Sequence, residues 1–123
     1  MQRELTNRYS VLDEISWQDF QKIELRAGTI ISAEDFPEAR NPAYILQVDF
    51  GADLGIKKSS AQITDNYSKT ELIGKQVLAV LNFPTKQIGP IMSECLVAGF
   101  YKEDGSIVLA GPDKILNNGA KLG

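Results

Sequence analysis

The stretch Tyr44–Ile63, "YILQVDFGADLGIKKSSAQI", decides how this chain folds. Tyr44, Leu46, Val48 and Phe50 fall at alternate positions, the two-residue period of a strand with one face in a core. Gly51 and Gly55 bracket a short loop, and "IKKSSAQI" resumes as another short strand. Its polar content places it near a sheet edge or a site. "GADLGIKKSS" invites comparison with a phosphate-binding loop, but the spacing is wrong. Three residues separate Gly51 from Gly55, Ile56 intervenes before Lys57, and no helix opens afterwards. It reads as a turn between strands.

Upstream, "LRAGTIISAEDF" reads as the first strand, with Gly28 where a strand bends or bulges. The proline-punctuated "PEARNPA" links it to Tyr44. Downstream, "TDNYSKTELIGK" has no two-residue period and should hold a helical turn before Gly74. "QVLAVLNF" is apolar on both faces, as a buried strand is. "SECLVAGFY" and "SIVLAG" should form a hairpin, with Asp104-Gly105 as a two-residue turn signal. Asn118-Gly119 marks a further turn.

Ahead of the first strand, Ser16 is a candidate N-cap with Asp19 three residues on, and Ile15 and Phe20 are spaced as a hydrophobic staple. A helix of about Trp17 to Ile23 is expected. Residues 1–14 show no period and read as a flexible lead-in to one domain, 15–123. The expected fold class is all-β: a five-stranded Greek-key barrel of the oligonucleotide/oligosaccharide-binding (OB) type, with a short N-terminal helix and an extension at each end.

A chain of 123 residues can bury one core without staples. The net charge of -3 and pI near 4.9 argue against nonspecific binding of polyanions. A local Lys/Arg stripe could still act alone. One cysteine and no histidine exclude an internal disulfide, a zinc site built on sulfur and imidazole, and a histidine base or triad. Cys95 alternates with Val97 and Gly99 and reads as a small interior hydrophobe. No metal, cofactor or enzymatic activity is expected. "MQRELTNRYSVLDEIS" lacks a basic stretch followed by an apolar run, and no segment nears the roughly 20 apolar residues of a membrane span. The expected location is the cytoplasm.

Two sets of residues are candidate sites. Between Leu81 and Phe100, the stretch "LNFPTKQIGPIMSECLVAGF" carries Phe83, Ile88, Ile91 and Met92 around Pro84 and Pro90. They either cap the barrel end or form an exposed apolar patch for a peptide or a second subunit. Phe36 and Tyr44 are plausible further walls, although the alternation could bury Tyr44. Arg26, Arg40, Lys57, Lys58 and Lys86 fall near strand ends. They are either solvated charges or a basic rim along the barrel face.

"IELRAGTI", "ARNPAYILQVDFG", "SSAQIT", "NFPTKQIGPIMSECLVAGF" and "NNGAKLG" resemble, in order and spacing, the CsaA-type secretion chaperones. Those chaperones are similar in turn to the EMAP-like tRNA-binding domain appended to methionyl-tRNA synthetases. Glu24, Leu25, Arg26 and Gly28 match that wider family's acidic-Leu-Arg-x-Gly strand. Asn82 and Phe83 open its loop, Lys86 holds a basic position, and Ser93 and Glu94 match its Ser-Glu strand. The chain departs from the tRNA-binding relatives at Asn41-Pro42, at Lys86-Gln87 and at Ala61-Gln62-Ile63, each a loss of charge or a change of backbone where an anion would lie.

The resemblance implies an ATP-independent cytoplasmic chaperone that holds unfolded or precursor polypeptides, with a link to protein export and its machinery. It implies a homodimer, whose self-complementary face would carry Trp17, Phe20, Ile115 and Leu116. Polypeptide would meet Phe36, Tyr44, Phe83, Ile88, Ile91 and Met92. The alternative is a structure-specific tRNA-binding module using Arg26, Lys57, Lys58 and Lys86, with tRNA binding weakened by the departures.

Overall fold

A computed structural model describes residues 12–123, so most of the expected 1–14 lead-in lies outside the described residues. Ser16 caps α1 (Trp17–Gln21), its Oγ accepting the Asp19 N–H at 3.0 Å. Ile15 stays 69% exposed, so no staple closes over the cap; Phe20 meets Trp17 instead, ring centroids 5.4 Å apart.

The chain then runs through β1 (Leu25–Asp35), β2 (Tyr44–Asp49) and β3 (Ile56–Ala61), followed by the single turn α2 (Lys69–Leu72). Ser68 and Glu71 close a capping box on that turn. Next come β4 (Gln76–Val80), β5 (Lys86–Ile88), β6 (Ile91–Ser93), β7 (Leu96–Val97), β8 (Gly99–Tyr101) and β9 (Ile107–Leu109). β3, β2, β1, β4 and β7 lie in that order in one sheet, every pair antiparallel.

Long β1 makes this curl possible because it serves two partners. Leu25–Thr29 pair with β4, and Thr29–Asp35 pair with β2. The register slips between Ile30 and Ser32, so the bulge sits at Ile31 and not at Gly28. Gly28 meets a different demand. A Cβ there would lie 2.6 Å from Phe50 Cδ1 and 2.8 Å from Val48 Cγ1. β1 therefore crosses directly over the Phe50 ring. The expected alternation holds along β2, with Tyr44, Leu46 and Val48 buried and Phe50 continuing the face. Ile30, Leu72 and Val77 complete the centre of the core.

β3 and β7 are joined by a seam rather than a ladder. Glu94 N–H donates to Lys58 C=O at 2.8 Å, and Lys58 N–H donates to Glu94 Oε1 at 2.9 Å. Ser60 N–H donates to Ser93 Oγ at 3.3 Å. With this seam the sheet is a nearly closed five-stranded antiparallel barrel of the OB type.

Two additions frame the barrel. The final residues run antiparallel beside the start of β1: Ala27 N–H to Ala120 C=O at 2.9 Å, Gly119 N–H to Ala27 C=O at 2.7 Å, and Leu122 N–H to Leu25 C=O at 2.9 Å. The expected strand "SECLVAGFY" breaks at Ala98, whose N–H donates to Leu78 C=O at 2.8 Å. Beyond it, β8 and β9 form the expected hairpin. Its connection spans Lys102–Ser106 rather than two residues, with Gly105 at φ +86° and the Asp104 carboxylate accepting from both the N–H and the hydroxyl of Ser106.

Gly28→Ala should destabilise the fold by about 1–3 kcal/mol, the usual penalty for overpacking. Urea unfolding would read it, and adding Phe50→Leu should recover part of the loss by vacating the space the new methyl needs. A second expectation concerns acid. Bonds from Arg26 and then Lys121 hold the Glu24 carboxyl below its ordinary 4.5. Its contribution is complete above that value and is lost as the pH falls through the lowered one. The amides of Gly119 and Leu122 should therefore lose exchange protection below pH 4.5 before those of β2 do.

Candidate ligand-binding pocket

The segment read as a proline-bounded loop is a β-hairpin. Ile88 pairs with Ile91, Gln87 with Met92 and Lys86 with Ser93. Gly89, at φ +53°, and Pro90, whose ring fixes φ near −65°, meet the φ requirement of a type II′ turn. The two-residue period puts Lys86, Ile88, Ile91 and Ser93 on one face and Gln87 and Met92 on the other. The tip rests on the β1–β2 loop, with the Gly89 Cβ position 3.6 Å from Phe36 Cζ.

Between this hairpin and the seam lies a pocket of about 310 Å3. Phe83, Pro84, Ile88 and Leu96 give it apolar walls. Ser60, Lys86, Ser93 and Glu94 supply its polar groups, so the residues that close the barrel also line the pocket. Cys95 lines it from a buried position, 7% exposed. Burial and then the Glu94 carboxylate push its thiol up to about 11, against the lesser pull of Lys57 and Ser59.

The expected site residues divide. Phe83, Ile88 and Lys86 come together in the pocket, and Ile91 shares their hairpin face. Met92 points from the opposite face, at 47% exposure. Phe36, at 3%, and Tyr44, at 9%, are interior residues and cannot wall an open surface. Phe36 supports the hairpin tip from beneath, and the Tyr44 hydroxyl donates to Tyr67 C=O at 2.8 Å. Leu96 was missing from the expected set. Reading residues 93–101 as a strand with Cys95 and Val97 inward already turns Leu96 outward, beside Phe83.

The cations divide as well. Lys58 is exposed on the outward side of β3 with Ser60, whereas Lys57 has the inward parity of Ser59 and Ala61. Arg40 is exposed in the β1–β2 loop. Arg26 lies elsewhere: its guanidinium donates to Glu24 Oε1 at 2.9 and 3.1 Å and to Gly119 C=O at 2.9 Å, beside a separate depression walled by Gly51–Leu54. It ties down the final segment and is not a rim residue of the pocket. Asn82 is structural too, accepting the Glu24 N–H at 2.9 Å and donating to Lys22 C=O at 2.6 Å, which fixes the end of α1 to β1.

Trp17 and Ile115 are 61% and 91% exposed, and Phe20 is half-buried. Leu116 is held through its backbone by the Gln76 amide, at 2.6 and 2.9 Å. It borders a shallow apolar depression with Leu78, Pro112 and Leu122.

Residues 25–121 match the family model described as "Putative tRNA binding domain". Among solved structures, the chaperone CsaA of Bacillus anthracis str. Ames superposes with a TM-score of 0.85 at 47% identity, over 90% of this chain and 100% of that one. The CsaA chaperone of Picrophilus torridus gives 0.83 at 48%, over 89% and 100%. This chain belongs to the CsaA-type branch of the tRNA-binding-domain family. It is also 32% identical over 110 residues to the methionine–tRNA ligase of Flavobacterium johnsoniae, covering 89% of this chain but only 15% of the ligase. The chain thus spans a small part of those relatives.

In this CsaA-type chain the matching motifs have structural work that can be read directly. Glu24 and Arg26 form the ion pair that holds the final segment, Gly28 lets β1 cross Phe50, and Ser93-Glu94 make the seam. No helix among the described residues is long and apolar enough to cross a membrane.

Burial, which pushes the Cys95 thiol up to about 11, keeps it protonated at pH 8. Ellman's reagent should label it at the rate at which the seam opens, accelerating with urea in step with unfolding. Fast labelling of the folded chain would contradict the burial.

Proposed function

We propose that the chain is an ATP-independent holding chaperone, binding unfolded or precursor polypeptide in the pocket between the β5–β6 hairpin and the seam. The observation that carries this reading is the wall composition. Phe83, Pro84, Ile88 and Leu96 gather in one concave site, with Lys86 and Glu94 at hand for polar groups of a peptide. The names of the two CsaA chaperones support it. Such holding acts by mass action on the unfolded client and needs no nucleotide. In this reading the protein works in the cytoplasm ahead of export, as a homodimer whose apolar face includes Trp17, Phe20, Ile115 and Leu116.

A tRNA-binding role is the second reading. It is favoured by the family match and by Lys58, Lys86 and Arg40, which make no ion pair among the described residues. Against it, Arg26 is already neutralised by Glu24.

The two readings separate in one pair of titrations, with labelled tRNA and with a permanently unfolded polypeptide, each at low and moderate salt. Polypeptide affinity should survive added salt and fall about tenfold or more in a Phe83→Ser/Ile88→Ser variant, as two apolar contacts are lost. Lys58→Ala and Lys86→Ala should change it little. Tight tRNA binding that collapses with salt, without a polypeptide signal, would replace the chaperone reading with the tRNA one.

A further inference from the structure

The turn at Asn118-Gly119 docks the final segment onto β1. Ala120 N–H donates to Asn117 C=O at 3.2 Å to close it, and Gly119 N–H donates to Ala27 C=O at 2.7 Å. Arg26 donates to Gly119 C=O at 2.9 Å. Gly119 sits at φ +93°, and a Cβ there would lie 2.6 Å from the Phe50 carbonyl oxygen. Glycine alone meets both demands. Asn118 is tied through its side-chain oxygen, which accepts from the Thr29 hydroxyl at 2.7 Å and from Gln76 Nε2 at 3.3 Å.

The missing Cβ that the fold requires also makes this pair reactive. In a free segment nothing shields the Gly119 nitrogen from the Asn118 carboxamide, and the backbone reaches the attacking geometry easily. The nitrogen gives up its proton and bonds to Asn118 Cγ. The Cγ–Nδ2 bond breaks, and the departing group takes a proton and leaves as ammonia. Water then opens the cyclic imide at either carbonyl, so residue 118 becomes aspartate or isoaspartate.

The docked pair is blocked at the first step. Removing the Gly119 proton would set a bare nitrogen against the Ala27 carbonyl oxygen, with its hydrogen bond lost. Thr29 on β1 and Gln76 on β4 pin the carboxamide as well. Both restraints go when the final segment leaves β1, so the reaction follows that local opening.

We propose that Asn118 is a modification site that records release of the final segment: it deamidates when the segment undocks, and the isoaspartate form cannot dock again. The two products differ in this respect. Aspartate leaves the main chain unchanged, and its carboxylate can accept the same two bonds from Thr29 and Gln76. Isoaspartate routes the main chain through Cβ and Cγ. That extra backbone carbon throws Gly119 and Leu122 out of register with Ala27 and Leu25, which they now bond. The site rests on neither ligand reading.

The test incubates the wild-type, Arg26→Ala and Asn118→Asp chains in mildly alkaline buffer. Peptide mass mapping follows conversion of amide to acid at Asn118, alongside hydrogen exchange of the Gly119 amide. Arg26→Ala removes a charge-assisted bond to Gly119 C=O, so conversion and exchange should quicken together, by about tenfold. Protected β2 amides would show that the barrel of this variant is folded. Wild-type chain unfolded in urea should convert faster than the folded chain, a comparison that needs no variant. Asn118→Asp should keep Gly119 and Leu122 protected, whereas isoaspartate chains separated by ion exchange should have lost that protection. Conversion as fast in the folded wild-type chain as in urea, conversion that does not follow Gly119 exchange, or an isoaspartate chain with a protected final segment would each overturn the proposal.

Discussion

The barrel depends on how β3 meets β7. Two strands of six and two residues cannot form a long ladder, and each leaves main-chain groups that must find partners. Glu94 solves this with its own backbone and side chain together. Its N–H reaches Lys58 C=O while its carboxylate takes Lys58 N–H, so one residue satisfies both main-chain groups of another. Ser93 does the same for the Ser60 amide with its hydroxyl. A charged acceptor makes a stronger bond than a neutral one, which suits a seam with few bonds. Cys95 then fills the interior side, and burial keeps its thiol protonated.

The opposite side of the barrel faces a comparable problem at β1. Its first half has β4 on one edge and the final chain segment on the other, and Gly28 lies over Phe50 with no room for a methyl group. The segment that covers this edge is held by main-chain bonds and by the Glu24, Arg26 and Lys121 cluster. These charges are partly exposed, so their pairwise energies are modest. Their value lies in position. Arg26 bonds to Glu24 on its own strand and to Gly119 C=O across the gap, which fixes the register of a segment that has few apolar side chains facing the core.

Much of the barrel is written in local pattern. The Tyr44–Phe50 alternation, the glycines of its turn and the helical insert before Gly74 are short-range features, and the chain adopts them. The hairpin at Lys86–Ser93 was hidden because Pro84 and Pro90 read as breaks. Pro90 occupies a turn position where a fixed φ is required, and Pro84 precedes the strand, so neither interrupts a ladder. Phe36 shows a different limit. It looks like a surface hydrophobe in its own stretch, and its burial depends on the hairpin tip that rests on it. Arg26 could not be assigned either, because its partner Gly119 is 93 residues away in sequence.

The pocket and the seam are built from the same residues, and this links fold to function. Ser60, Ser93 and Glu94 face the pocket while their polar groups hold β3 to β7. A ligand seated on Phe83, Ile88 and Leu96 covers these hydrogen bonds and removes water that competes for them. Binding there and closure of the barrel therefore favour each other by linkage, whatever the ligand is. The same arrangement restricts the ligand. With the Glu94 carboxylate at the pocket wall and Lys86 as its one lysine, the charges lining the site balance. Arg26 lies outside the pocket and is paired with Glu24. A balanced, apolar-walled site attached to a structural seam is what the polypeptide reading proposed above requires, and the family's barrel supplies it without any change of topology.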